Sequence, residues 1–316
     1  MYRAAPKTSY LPLAAFLFLG IVWGSNFIYM KLAASLITPT QIVFFRVLFG
    51  FFPVLIYAYL SGAMAWRHLR YTGHFFVMSL LATTLYYYAF VKGTTLLLSG
   101  VAGALSGSIP LFSFILAILF LPEEKITLSR TVGLIIGLIG VLIIGRPSGH
   151  DFMSTNMEGV LYLVAGSLSV GASFVYAKRY ITPLKIPAAA LTAYQLGIGL
   201  LLLAVVTNYQ GIGNVWTDVH ASIGLVVGLG LLGTGGAYII YYFIIERLGA
   251  VTASSVTYIP PIVALLIGAI IVGEPIEFVD YAATSIIFIG VFLLKRGSGP
   301  RSPKSIKTNG PTEQLR

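Results

Sequence analysis

Ten apolar runs, each about 20 residues long and divided by short polar stretches, fill most of the chain. They fall near 12–30, 38–60, 73–91, 95–121, 127–145, 157–177, 187–207, 221–245, 250–272 and 276–294. At a rise of about 1.5 Å per residue, such a run crosses a hydrocarbon core of about 30 Å. Each run reads as a helix, because in lipid a segment must satisfy its own backbone hydrogen bonds. The short alternating segments of a transmembrane barrel do not occur. The pattern predicts an all-α integral membrane protein with ten transmembrane helices.

Composition sharpens this picture. Of 316 residues, 57% are hydrophobic and 9% charged, against about 25% charged in a soluble domain. The chain has no cysteine, so disulfides, thiolate metal sites and cysteine nucleophiles are excluded. A cleavable leader is not expected, because the first run is long and is followed by Lys31 rather than by a small-residue cleavage site. The net charge of +10 fits a membrane partner better than nucleic acid, since the basic residues lie in short loops and a tail. With the N-terminus inside, sixteen Lys and Arg fall on the inner side. Lys31, Lys92 and Arg146 fall outside, and Arg46 lies within a span. This bias places both termini in the cytoplasm. Residues 297–316, polar and basic, read as a disordered cytoplasmic tail.

The chain also repeats itself. "WGSNFIYMK" at 23–31 and "GASFVYAK" at 171–178 share the frame G-x-x-F-x-Y-x-K at an offset of 147 residues. Pro110 matches Pro260, Glu124 matches Glu274 and Gly140 matches Gly290 at an offset of 150, and Gly50 matches Gly199 at 149. Five helices per repeat is an odd number, so the second copy enters the membrane from the opposite side. The expected organisation is two inverted five-helix repeats, 1–148 and 149–296. Repeats of this kind commonly underlie carriers whose site lies at mid-membrane between the halves.

The residues "WGSNF" at 23–27, "FFR" at 44–46, "SIPLFSFILAILFLPEEKIT" at 108–127 and "YIPPIVALLIGAIIVGEPI" at 258–276 resemble the EamA family of the drug/metabolite transporter superfamily. The likeness runs to about residue 296. It implies metabolite export or exchange across the bacterial inner membrane by alternating access. Within the family, the chain looks similar to the YddG-type aromatic amino acid exporters.

The residues suggest where substrate would bind. Arg46 is the charge well inside a span, at a cost of about 2.5–3.5 kcal/mol on translocon-type scales. It reads either as an anchor for a carboxylate or phosphate, or as a structural Arg bonded to backbone carbonyls. Its repeat counterpart is the neutral Gln195. Tyr86, Tyr87 and Tyr88, with Tyr238, Tyr241 and Tyr242, read as the wall of an aromatic pocket or as an interfacial belt. Tyr86, Tyr87, Tyr238, Tyr242 and Tyr258 are the candidates for the pocket. Trp23 and Asn26 join them from the first helix, and Ser106 from the small-residue run at 99–108. Pro110 and Pro260 are candidate gating kinks, since a proline in mid-helix frees a carbonyl. Lys31 and Lys178 are expected to be interfacial anchors, and Glu124 and Glu274 helix-end caps. No acid lies in mid-span, which argues against a proton-coupled exporter of cations.

The expected function is export of amino acids with large apolar or aromatic side chains. The expected working unit is a monomer in lipid, with no cofactor, metal or catalytic residue. An organic-phosphate or nucleotide-sugar carrier is the alternative, and a membrane enzyme or non-transporting scaffold is the alternative of another class. The four histidines, His68, His74, His150 and His220, are scattered and form no site.

Overall fold

The computed structural model describes residues 10–124, 126–144, 156–249 and 253–296. Among them every regular element is helical. The predicted tail, 297–316, lies outside these residues, as do Arg3, Lys7, Lys125 and Arg146.

The ten expected helices are all present: α1 Leu11–Ala34, α2 Pro39–Leu60, α3 Trp66–Leu96, α4 Ser99–Phe120, α5 Leu128–Ile144, α6 Met157–Leu184, α7 Ala188–Val206, α8 Val219–Leu248, α9 Ser255–Val272 and α10 Phe278–Arg296. Nine are long and apolar enough to cross a bilayer, and α5 is a shorter apolar helix of 17 residues. The fold is that of a multi-pass membrane protein with ten helices in two inverted sets of five. The pattern underestimated α3 and α6, which continue past their apolar runs as polar or wide helical turns.

Local chemistry sets the ends. At the start of α2, the Thr38 hydroxyl accepts from the Gln41 N–H at 3.4 Å, and the Gln41 side-chain oxygen accepts from the Thr38 N–H at 2.9 Å. This reciprocal cap satisfies two donors that the first turn leaves open. The Gln41 amide then donates to the carbonyls of Asn208 and Gln210 at 2.6 and 2.9 Å, which ties the α1–α2 turn to the loop after α7.

Small residues decide how closely the helices cross, and the crossings recur in pairs. A Cβ on Gly24 would stand 2.5 Å from Val263, and one on Gly171 would stand 3.0 Å from the Ser113 backbone. Gly50 lies under Thr234, and Gly199 lies under Thr83. Gly140 lies against Ile287, and Gly290 against Gly137. In each pair, both partners are shifted by 147–151 residues and the halves exchange roles. Helix contact in lipid depends on such close packing rather than on a hydrophobic drive.

In α8, residues Gly224–Gly236 form wide π-type turns. Gly228, Gly230 and Gly235 there face Tyr29, Phe49 and Pro53, with no room for a side chain. The hydroxyl of Thr234 donates to the carbonyl of Leu229 at 2.9 Å, five residues back. Its counterpart Thr84 donates to Ser79 at 3.1 Å. Insertions of this kind are frequent at functional sites.

Candidate functional site at the seam between the halves

Arg46 is the eighth residue of α2, about 10 Å below its first turn at the helical rise, and is 5% exposed. Its Nε donates to the Thr234 hydroxyl at 3.0 Å, which joins α2 to α8 across the halves. Its guanidinium lies over the Tyr87 ring, 3.9 Å from the centroid. Nη1 is 4.0 Å from the Met30 sulfur. When the Asn26 amide is turned to satisfy both of its ends, its nitrogen donates to the Val22 carbonyl at 3.1 Å and its oxygen accepts from Nη2 at 3.3 Å.

A cation over an aromatic face is stabilised by the ring quadrupole, and the other contacts are to neutral groups. Among the described residues, no carboxylate makes an ion pair with Arg46. A full positive charge therefore sits in the seam with only dipoles around it, which favours an incoming anion.

The tyrosines continue from this point. Tyr86 packs on Tyr87 and on Phe90, with centroids at 5.0 and 4.7 Å. Tyr238 stacks on Tyr242 at 6.3 Å, and Tyr242 on Tyr57 at 6.4 Å. Tyr242 is fixed by hydrogen bonds to the Thr192 hydroxyl and, at 3.1 Å, to the Ala188 carbonyl. Tyr86, Tyr87, Tyr238 and Tyr242 all pack against the same core. Thus Asn26, Arg46 and these four tyrosines form one aromatic and cationic seam. Ser106 lies buried in α4, its hydroxyl turned back to the Gly103 carbonyl.

Three expected residues have other direct neighbours, although Tyr258 packs against that same core. Trp23 packs on Tyr241 at 5.9 Å in a separate cluster with Leu19 and Ile244. Tyr258 lies in the first turn of α9, edge-on to Phe288 and 4.6 Å from the Lys295 ammonium. Pro260 opens the next turn of α9 instead of sitting in mid-helix. Pro110 also starts a helical segment, just after a tight turn at Gly107 and Ser108. There the N–H groups of Gly107 and Ser108 bond three residues back, both at 3.0 Å. A proline in the first turn of such a segment displaces no hydrogen bond of that segment.

The ends of the bundle depart further from expectation. Lys31 and Lys178, expected as interfacial anchors, are both ion-paired. Lys31 lies 3.5 Å from Glu274, and its Nζ donates to the Leu97 carbonyl at 2.6 Å. Lys178 lies 2.7 Å from Glu124 and 3.4 Å from Glu123. Glu274 also accepts from the N–H groups of Ser99 and Gly100, at 2.8 and 3.0 Å, so it caps α4 rather than its own helix.

Burial pushes the Glu274 carboxyl up, but the N–H groups of Gly100 and Ser99 together with Lys31 outweigh it and leave it below the usual value. The Lys178 hydrogen bond, aided by Arg130, holds the Glu124 carboxyl down against burial. Arg130 is a second buried base, but it lies at an end of the bundle, 3.2 Å from Glu124. Near Lys31, a cleft of about 480 Å³ opens, lined in part by Thr38, Gln41, Lys92, Thr95, Gln210 and Asn214.

Sequence reasoning missed Thr234, Met30 and Thr192. Thr234 had a signal: it stands one repeat from Thr84 in the glycine-rich part of α8. Met30 and Thr192 had none, because each gains its role from a neighbour on another helix. Among the described residues no cluster of three metal-ligating side chains forms.

Relatives share this architecture. The chain is 25% identical over 274 residues to an uncharacterized transporter of Archaeoglobus fulgidus, covering 87% of this chain and 95% of that one. It is 29% identical to the uncharacterized transporter YdfC of Bacillus subtilis, covering 85% of each. It is also 29% identical to the uncharacterized inner membrane transporter YedA of Escherichia coli, over 63% of this chain and 62% of that one. A solved crystal structure superposes on 91% of this chain and 99% of its own, with a TM-score of 0.60 at 18% identity, which supports the fold. The model of the EamA-like transporter family matches twice, at residues 11–146 and 157–296. The chain belongs to the EamA-like transporter family and is a membrane transporter rather than an enzyme.

Proposed function

We propose that this transporter is an alternating-access carrier that exports amino acids with large apolar or aromatic side chains across a bacterial inner membrane. Its halves, 1–148 and 149–296, are the two bodies that move, and both termini face the cytoplasm. The observation that carries this reading is Arg46: a buried guanidinium without an acidic partner among the described residues, covered by Tyr87, with Tyr86, Tyr238 and Tyr242 in the same packed cluster. A substrate carboxylate would take the guanidinium, and an apolar side chain would lie on the rings. An organic phosphate would bring more charge than one guanidinium balances, and the other buried base, Arg130, is already paired with Glu124.

The test is efflux from liposomes that contain the purified chain. Phenylalanine-like and leucine-like amino acids should move down their gradients. Arg46→Gln should lower that flux by roughly tenfold or more, as expected for loss of a charge-assisted anchor. Failure to move any amino acid would reject the substrate assignment. Faster flux of phosphorylated compounds would replace it with the alternative. Tags on the two chain ends found on opposite faces of the bilayer would reject the topology.

A further inference from the structure

Two ion pairs join the halves, and each is the image of the other. Lys31, in the first half, pairs with Glu274 in the second. Lys178, in the second half, pairs with Glu124 in the first. The lysines are equivalent at the offset of 147, and the glutamates at 150.

The pairs stand at opposite ends of α4. Glu274 holds its first residue, Ser99, and Arg179, next to Lys178, donates to the carbonyl of its last, Phe120, at 2.8 Å. The helix between them is about 30 Å long at the standard rise. Four residues from its start, and so nearer the Lys31 end, α4 crosses α9 at Gly103, where a Cβ would come within 2.1 Å of Ala264. A rocking of one half on the other about this crossing lengthens one pair and spares the other.

We propose that Lys31–Glu274 and Lys178–Glu124 are the two latches of the transport cycle, each closing one end of the seam. This rests on the alternating-access reading. The latches are unequal. Lys31 is 35% exposed, but its partner Glu274 is 6% exposed and is also held by two backbone N–H groups. Lys178 and Glu124 are 40% and 21% exposed. Parting a buried pair costs more than parting an exposed one. The carrier therefore opens more readily at the Lys178 end.

The absence of cysteine makes a direct test available. Ser106→Cys puts a lone thiol in α4, beside the tight turn. Full-length protein in liposomes is treated with a membrane-impermeant maleimide from one face or the other. Lys31→Met should raise the labelling rate from the Lys31 face and lower it from the opposite face. Lys178→Met should do the reverse, by a smaller factor. Glu274→Gln provides a second variant if Lys31→Met does not yield a single gel-filtration peak.

Rates that do not change, or that change in the same sense at both faces, overturn the proposal. Amino acid flux is measured in parallel vesicles whose protein keeps Ser106. Reciprocal labelling without flux removes the substrate assignment and keeps the latches. Flux with labelling indifferent to both lysines removes the latches and keeps the substrate assignment.

Discussion

The two ends of the bundle use the same chemistry, a lysine of one half against a glutamate of the other, in different surroundings. At the Lys31 end the carboxylate is buried and caps the start of α4, so the ion pair is built into the helix. At the Lys178 end, Glu123, Glu124 and Arg130 share the work in a more exposed cluster. The lesson is that inverted repeats reproduce the partners of an interaction but not its strength. Strength depends on solvent and on neighbouring backbone donors, which the two faces supply unequally.

The comparison can be broken most thoroughly at the crossing the two ends share. Gly103→Val forces a side chain into Ala264 and should destabilise the fold by about 3 kcal/mol or more, seen as lost folded yield from detergent. Glu274→Ala is next. It strands Lys31 and two N–H groups of α4, and should cost about 3 kcal/mol, read as a clear fall in Tm. Its counterpart Glu124→Ala should cost less than Glu274→Ala, since Lys178 is 40% exposed, but more than loss of an exposed pair alone, since the buried Arg130 also loses the Glu124 carboxylate. Equal falls in Tm for the two glutamates would show that burial does not separate the ends.

The smallest effect concerns pH. The Glu274 and Glu124 carboxyls both lie below their ordinary value of 4.5. Each therefore contributes stability that is complete above 4.5 and is lost only as pH falls through the lower folded values. The ratio of labelling rates from the two faces of the Ser106→Cys reporter, in which the thiolate fraction cancels, should be flat from about pH 8 to about pH 5, with change confined to more acidic solution. A step near neutrality would point to another titrating group.

A second contrast lies at the centre. Arg46 is buried with an aromatic and three polar or sulfur contacts, while its counterpart Gln195 is also buried but neutral. The seam is thus charged on one side only. This asymmetry was legible in the sequence, because Arg46 was the charge inside a span and the offset identified its partner. The clustering of Tyr86, Tyr87, Tyr238 and Tyr242 was partly legible from helical spacing. The direct neighbours of Trp23 and Tyr258 were not. Both are aromatic residues in apolar runs, and only the rotation of α1 and α9 against their neighbours sends one to Tyr241 and the other to Phe288.

The chain's own pattern determined the helix number, the membrane setting and the duplication, because lipid admits few backbone solutions and a repeat leaves a constant offset. It also marked Arg46, since a charge in an apolar run is costly wherever the helix lies. What the tertiary structure alone decided is who meets whom. Lys31 and Glu274 are 243 positions apart, and each by itself has an adequate local role as an anchor or a cap. Pairing across the halves depends on helix crossings set by small residues, a property of two surfaces together that neither run of sequence carries alone.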